Sequence, residues 1–206
     1  MIKRILAVGA HPDDVEFGCG GALGLFQTRN VRIKYIAFSK CTDLPRNQGI
    51  EEEWENVIKI LGLNRDDAEL MDFPNRLLYM HEAKIREKLE MIRDEFDPQL
   101  VFTHSLDDVH QDHGCLRDEC RKVFKSSTIL GYESPRSSVK FSPDFYIVIP
   151  DEIADKKREL LECYQTQKSL PYSDPEKITA GLQYHGTKIN ARYAEAFNLI
   201  RGVLKY

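Results

Sequence analysis

Segments typical of buried strands alternate along this chain with segments typical of amphipathic helices. Strands are predicted for the apolar or β-branched segments 2–9, 31–39, 100–104 and 145–149. Apolar residues at helical spacing predict helices over 18–28, 51–62, 79–96, 151–166 and 192–203. This alternation is typical of βαβ units, in which helices connect parallel strands and cover both faces of the sheet.

A single α/β domain with a Rossmann-like fold, spanning residues 1–206, is therefore expected, with a mostly parallel sheet flanked by helices on both faces. A length of 206 residues is enough for one sizeable core. No linker-like stretch divides the chain, and the segment 134–142, which contains Pro135 and several serines, is predicted to be a surface loop.

Charge balance and apolar segments exclude several classes of protein. The chain has 29 Lys and Arg residues against 33 Asp and Glu residues, a net charge of −4, which argues against nucleic acid as a partner. The apolar stretch 5–10 is too short to cross a membrane and is followed at once by charged residues. Neither membrane insertion nor a signal peptide is indicated, and a cytoplasmic location is expected. The five cysteines include no CxxC pair, so neither a disulfide framework nor a thiolate zinc site is indicated.

Two clusters of histidine and carboxylate residues follow two of the predicted strands. Residues 10–16 read AHPDDVE after the first strand, and residues 108–113 read DVHQDH after the strand 100–104. Ligands of open parallel sheets gather at the carboxyl ends of the strands, and a catalytic zinc site typically uses three His, Asp or Glu ligands and leaves one position open. Either cluster alone also fits an exposed polar turn or the start of a solvated helix, but the two together predict a metal site.

A dinucleotide-binding site is the main alternative interpretation of the turn after the first strand. Its fingerprint requires glycines at the turn itself, where the pyrophosphate meets backbone amides. Here Gly9 is followed by His-Pro-Asp-Asp, whose two carboxylates would repel a pyrophosphate, and Gly18, Gly20 and Gly21 come too late in the chain. A nucleotide-cofactor site is therefore disfavoured.

The segments AHPDDVEFGCGGAL (10–23) and HQDH (110–113) resemble the LmbE-like, or PIG-L-type, zinc-dependent de-N-acetylase superfamily. Further matches lie at 133–135, 141–149 and 193–197. Members of this superfamily remove acetyl groups from N-acetylglucosamine conjugates. The resemblance implies a metal-dependent hydrolase whose partner is a small-molecule N-acetylated amino-sugar conjugate. It also implies Zn²⁺ as the cofactor, although two histidines and a carboxylate accept Fe²⁺ as well.

The same resemblance implies a role for each residue of the two clusters. The metal ligands fall on His11, Asp14 and His113. Asp13 falls on the general base, which activates zinc-bound water for attack on the amide carbonyl. His110 falls on the histidine that stabilises the oxyanion as an imidazolium and can protonate the departing amine. Asp112 falls on the carboxylate that hydrogen-bonds to His110 and orients it. These roles are chemically consistent, because zinc lowers the pKa of bound water and polarises a carbonyl, while a positioned carboxylate and imidazole assist attack.

The chain departs from the family pattern in residues associated with the substrate. An Arg that many relatives carry is replaced by Ile50, and the Pro-Asp-Arg or Pro-Asp-Gly of relatives reads Pro74-Asn75-Arg76. We expect Arg76 and Arg46 to contact an anionic group of the substrate. The resemblance does not identify the aglycone, and it leaves a homo-oligomer open.

Two other functions compete with deacetylation. A metal-dependent phosphohydrolase would use the same residue types, but such enzymes often hold two metals about 3.5–4 Å apart, and the clusters supply ligands for one. A non-catalytic protein that binds a sugar or a metal would leave Asp13 without a role. Outside the clusters, His104 and Glu195 are expected to be structural.

Overall fold

A seven-stranded sheet lies at the centre of the computed structural model, which describes residues 2–204. Its strands are β1 (Arg4–Gly9), β2 (Arg32–Ala37), β3 (Ala68–Leu70), β4 (Leu100–His104), β5 (Thr128–Tyr132), β6 (Phe145–Val148) and β7 (Ala194–Arg201). They lie in the order β3-β2-β1-β4-β5-β7-β6. The first five strands pair in parallel, and β7 is antiparallel to both of its neighbours. The sheet is therefore mostly parallel, as predicted.

Helices cover both faces of this sheet. They are α1 (Asp14–Gln27), α2 (Ile50–Leu61), α3 (Glu82–Phe96), α4 (Gln111–Val123), α5 (Asp151–Glu162) and α6 (Pro175–Thr187). α1 packs against α2 and α5 on one face, α3 packs against α4 on the other, and α6 lies against α5 and β7. Across residues 2–204, every helix is too short or too polar to cross a membrane.

The alternating side chains of β1 contribute to both apolar cores. Ile5 and Ala7 belong to the cluster that contains Trp54 of α2, whereas Leu6 and Val8 belong to the cluster on the opposite face. Successive strand residues point to opposite faces, so a strand that is covered on both sides has to be apolar throughout. This requirement explains the continuous apolar run by which β1 was predicted.

The structure shows that the helix predicted over 192–203 is wrong, because this segment contains β7. Ala, Glu and Leu are good helix formers, which favoured the helix. However, the residues from Ala194 to Asn198 are buried, and the strand pairs with β5 on one side and β6 on the other. Long-range pairing of this kind overrides local propensity. β3, β5 and α6 were not predicted, and α1 begins at Asp14 rather than at the predicted residue 18.

Candidate active site

The carboxyl ends of β1 and β4 bring the two histidine and carboxylate clusters together. β1 ends at Gly9 and α1 begins at Asp14, so residues 10–13 form a tight turn between them. β4 ends at His104 and leads through a short loop to α4, whose N-cap is His110. Because β1 and β4 are adjacent parallel strands, both connections lie at the same edge of the sheet.

His11, Asp14 and His113 form a compact group of candidate ligand atoms. His11 Nδ1 lies 3.3 Å from one carboxylate oxygen of Asp14 and 3.4 Å from His113 Nε2, which lies 3.4 Å from the other oxygen. A tetrahedral zinc site with bonds of about 2.0–2.1 Å has ligand atoms about 3.3–3.4 Å apart. The residues therefore fit a zinc ion in both chemistry and spacing. Two further groups of ligand atoms share His11 or His113 with this one.

Each of those two groups contains a carboxylate that hydrogen-bonds to one of the candidate ligand histidines. His11 Nε2 donates to Asp112 at 3.1 Å, and His113 Nδ1 donates to Asp108 at 2.8 Å. Each imidazole thus carries a proton on the nitrogen that faces its carboxylate, which leaves His11 Nδ1 and His113 Nε2 as the nitrogens beside Asp14. Histidines that bind metals commonly have such partners. Asp108 and Asp112 are therefore better explained as support for the ligand group than as ligands.

Opposite charges control the protonation of this group. Burial opposes ionisation of Asp14, but the imidazoles of His113, His104 and His11 outweigh it and hold the pKa of the carboxyl well below its usual range. Burial also disfavours the imidazolium of His11, yet the hydrogen bond to Asp112 and the charge of Asp14 raise the pKa of His11. Asp14 is thus ionised, as a metal ligand has to be, and a divalent cation would compete with the second proton of His11.

Asp13 lies in the turn before α1 with a φ of 85°, in the left-handed region. Asp adopts this conformation more readily than most residues with a side chain, and backbone strain of this kind is often retained at functional sites. The residue is only 9% exposed. Burial and the adjacent charge of Asp14 raise the pKa of Asp13 well above its ordinary value. The carboxyl is therefore suited to accepting a proton.

His110 stacks on His113, with ring centroids 4.3 Å apart. Its Nδ1 accepts a hydrogen bond from the backbone N–H of Asp112 at 3.2 Å, so the proton of the neutral ring is assigned to Nε2. Burial and the neighbouring charges of His113 and His11 lower the pKa of His110 to about 4. The resemblance implied an imidazolium at this position, and that role stays a prediction for the protein with metal bound. The structure favours a neutral ring that donates through Nε2.

The carboxylate of Asp112 hydrogen-bonds to His11 and not to His110. Oδ2 accepts from His11 Nε2 and, at 2.6 Å, from the backbone N–H of Arg76, while Oδ1 accepts from the backbone N–H of Leu78 at 3.1 Å. Among the described residues, the contact of Asp112 with the His110 ring is made by its backbone N–H. The carboxylate therefore links His11 to the segment before α3, which differs from the role that the resemblance implied.

Asp108 and His104 complete the surroundings of His113. Asp108, to which the sequence analysis gave no individual role, accepts from the His113 ring and from the backbone N–H of His110 at 2.9 Å. Its place in the DVHQDH motif is the sequence feature from which a role in the site could have been predicted. His104 is buried and stacks on His113 at 3.8 Å, and its Nε2 accepts from the backbone N–H of Ala10 at 3.1 Å. Burial and the charge of His113 lower the pKa of His104 well below its ordinary value. This buried position fits the structural role predicted for His104, which stays a prediction.

A cavity of about 370 Å³, which we call the first cavity, opens over the ligand group and is lined by residues of both clusters. Arg46 and Arg76 also line it, and both are exposed, so the structure brings them to the location that the sequence analysis expected. Their contact with a substrate stays a prediction. Arg136, Gln167 and Tyr172 line it as well. These three residues lie outside the segments that the sequence analysis singled out for binding, so no local motif marked them.

Comparison with known proteins finds one family that matches this chain, together with relatives of similar sequence or fold. The GlcNAc-PI de-N-acetylase (PIG-L) family matches residues 6–124, more than half of the chain. The uncharacterized deacetylase YaiS of Escherichia coli strain K12 is 29% identical over 181 residues, which cover 80% of this chain and 91% of YaiS.

Solved structures of similar fold include the conserved protein TT1542 from Thermus thermophilus. It has a TM-score of 0.79 at 22% identity, with 100% of this chain and 98% of that chain covered. The 4-carboxy-2-hydroxymuconate hydratase GalB from Pseudomonas putida KT2440 has a TM-score of 0.78 at 20% identity, with 100% and 99% covered. Because a hydratase shares the fold, the fold alone does not determine the reaction.

The family match begins within β1 and ends just after α4. It therefore contains both clusters that meet at the carboxyl edge of the sheet, together with the segment 74–78 that Asp112 holds. This chain belongs to the GlcNAc-PI de-N-acetylase (PIG-L) family.

Proposed function

We propose that this protein is a zinc-dependent hydrolase that removes the acetyl group from an N-acetylated amino-sugar conjugate. The observation that carries the proposal is the convergence of His11 Nδ1, Asp14 and His113 Nε2, at 3.3–3.4 Å, beside Asp13 and His110. The substrate class named by the family and the description of YaiS as a deacetylase support it. A cavity of about 370 Å³ is within the range of small-molecule sites.

His11, Asp14 and His113 would hold the metal ion, and three protein ligands leave a coordination position open. When bound, a zinc ion lowers the pKa of water toward neutrality and polarises the amide carbonyl. Asp108 and Asp112 keep the two imidazoles in the tautomers that such binding requires. The same donor set accepts Fe²⁺, so metal analysis of the purified protein decides between the two ions.

Asp13 and His110 supply the proton transfers and the stabilisation of charge. Asp13 takes a proton from the water that attacks the carbonyl carbon. The Nε2–H of His110 donates to the carbonyl oxygen, on which negative charge develops. Asp13 then delivers the proton to the departing nitrogen as the C–N bond breaks. Amide and water thus give acetate and the free amine. The raised pKa of Asp13 suits a group that holds this proton between the two steps.

Arg46 and Arg76 add positive charge to the rim of the first cavity. We infer that they contact an anionic group of the conjugate, which long exposed guanidinium groups can reach without being buried themselves.

The competing functions have less support from the side chains of the site. A two-metal phosphohydrolase needs a second set of ligands, and the other groups of ligand atoms among residues 2–204 reuse His11 or His113. A non-catalytic protein that binds a sugar or a metal does not require the strained and buried carboxyl of Asp13.

Acetate release from a panel of N-acetylated amino-sugar conjugates tests the proposal, with phosphorylated sugars as the competing substrates. We expect acetate and free amine in equal amounts from the metal-loaded protein. Asp13→Asn should keep the metal and lower kcat by about 10²–10⁴-fold. Asp43→Asn, at an exposed position outside the cavity lining, should change neither. Absence of acetate from every conjugate, or full activity of Asp13→Asn, would contradict the proposal.

A further inference from the structure

A second cavity of about 510 Å³ lies beside the first. Phe17, Pro135, Arg136 and Tyr172 line both cavities. The rings of Phe17 and Tyr172 meet edge to face with centroids 5.2 Å apart, and the guanidinium of Arg136 lies 5.7 Å from the centroid of Tyr172. These residues form a partition between the cavities. A ligand that extends past this partition from the candidate metal site enters the second cavity.

Much of the wall of the second cavity is apolar. Ile178 and Leu182 of α6 face it together with Ala194 and Ala196 of β7. With the aromatic rings of the partition, this wall suits an aryl or alkyl group. Gly181 of α6 lines the same cavity, and a Cβ built on it meets no atom within 4 Å. The space in front of Gly181 is therefore open.

The charges around the second cavity are unbalanced. Two pairs of groups that line it are in contact: Lys157 forms an ion pair with Glu195 at 2.6 Å, and Nε2 of His185 lies 3.1 Å from a carboxylate oxygen of Glu133. Arg136 and Lys177 also line it and are exposed, and neither has an ion-pair partner within residues 2–204. Two positive charges therefore border an apolar cavity, an arrangement that complements an apolar group carrying an anion.

We propose that the second cavity binds the aglycone of the substrate, and that this aglycone combines an aryl or alkyl surface with an anionic group that contacts Arg136 and Lys177. The inference rests on the proposed function, because it requires the amino sugar to lie at the candidate metal site. It is separate from the rim contacts of Arg46 and Arg76, which line the first cavity only.

Binding of three ligands tests this assignment: free N-acetylglucosamine, its phenyl β-glycoside and its 4-carboxyphenyl β-glycoside. Titration calorimetry with the metal-loaded Asp13→Asn protein, in which turnover is suppressed, measures each dissociation constant. We expect affinity to rise in the order given, by about tenfold at each step, which corresponds to about 1.4 kcal/mol. Equal affinities for the three ligands would overturn the proposal.

Variants of α6, made in the same Asp13→Asn background, locate the gain in affinity. Gly181→Leu adds an apolar side chain to the wall of the second cavity at a position where a Cβ meets no atom within 4 Å. It also replaces a helical glycine by a better helix former, so the variant should fold normally. It should weaken both aryl glycosides by about tenfold and leave the free sugar unchanged. Ala180→Leu, at the neighbouring exposed position outside the cavity, is the matched control. Lys177→Gln should weaken only the carboxylated ligand.

Three results would contradict the assignment. Unchanged binding of the aryl glycosides to Gly181→Leu would mean that the aryl group lies elsewhere, and equal weakening of the free sugar would mean a general disturbance of the site. If Gly181→Leu in the otherwise unaltered protein instead impaired release of an N-hexanoyl group, the cavity would accept the acyl chain. Failure of the proposed function is distinct from all three, because it appears as absence of acetate release by the unaltered protein.

Discussion

The contacts of Asp112 allow its role to be tested with two substitutions. Asp112→Ala removes the carboxylate that accepts from His11 Nε2 and from the backbone N–H groups of Arg76 and Leu78. Asp112→Asn keeps one accepting oxygen. If the amide oxygen takes the position of Oδ2, it keeps the hydrogen bonds from His11 and Arg76, and only the bond from Leu78 is lost. The asparagine side chain should therefore place its oxygen there.

The expected magnitudes follow from these contacts. Asp112→Ala leaves two backbone N–H groups without their acceptor, and the free energy of unfolding should fall by about 2–6 kcal/mol, at about 1–3 kcal/mol for each group. The buried Leu78 should account for more of this loss than the exposed Arg76. Metal affinity should fall by about 100-fold, the upper end of the 10–100-fold loss that is typical when the carboxylate partner of a ligand histidine is removed. Asp112→Asn should lose about tenfold in metal affinity and retain most of the stability.

Competition with a chromophoric chelator measures metal affinity, and urea unfolding of the metal-free protein measures stability. Asp118→Ala is the control, because Asp118 lies on the same helix with its side chain 44% exposed and paired with Arg117. If Asp112→Ala lowered kcat but left metal affinity unchanged, the carboxylate would act on His110, as the family resemblance implies. The assignment of Asp112 to His11 would then be refuted.

Three further predictions concern packing, charge and the oxyanion donor. Gly18→Ala should lower the free energy of unfolding by about 1–3 kcal/mol, because a Cβ would lie 2.1 Å from the ring of Tyr132; an unchanged urea midpoint would contradict this packing. Burial opposes ionisation of Glu119, but the exposed guanidinium of Arg86 and a neighbouring lysine outweigh it and lower its pKa. This stabilisation is present above the unfolded-state pKa of about 4.3 and is lost as pH falls through the folded value. Glu119→Gln should therefore cost about 1 kcal/mol at pH 7 and flatten the decline in stability below pH 4, and a decline as steep as before would exclude Glu119 as its source. His110→Ala should lower kcat by about 10²–10³-fold at unchanged metal content, and His110→Gln, which keeps an N–H donor, should recover part of it; equal losses would argue against a donor role.

The features that could be predicted from the residues alone are local in the chain. The apolar run of β1 is required by burial on both faces of the sheet, and it marks the strand without any knowledge of its neighbours. The alternation of strands with helices implies parallel pairing, and parallel pairing brings residues after β1 and after β4 to one edge. For this reason the proximity of His11, Asp14 and His113 could be predicted from two short motifs.

The partner that each polar group meets depends instead on how distant segments pack. His11 and Asp112 are 101 positions apart and hydrogen-bond only because α4 packs beside the turn after β1. The orientation of Asp112 depends in turn on the backbone of the segment before α3, which no motif describes. The strand β7 forms because it completes pairing between β5 and β6, against the helix propensity of its residues. The second cavity has the same origin, since its walls come from α1, α5, α6, β7, the loop after β5 and the segment before α6. The separation of these elements is a property of packing rather than of any one segment.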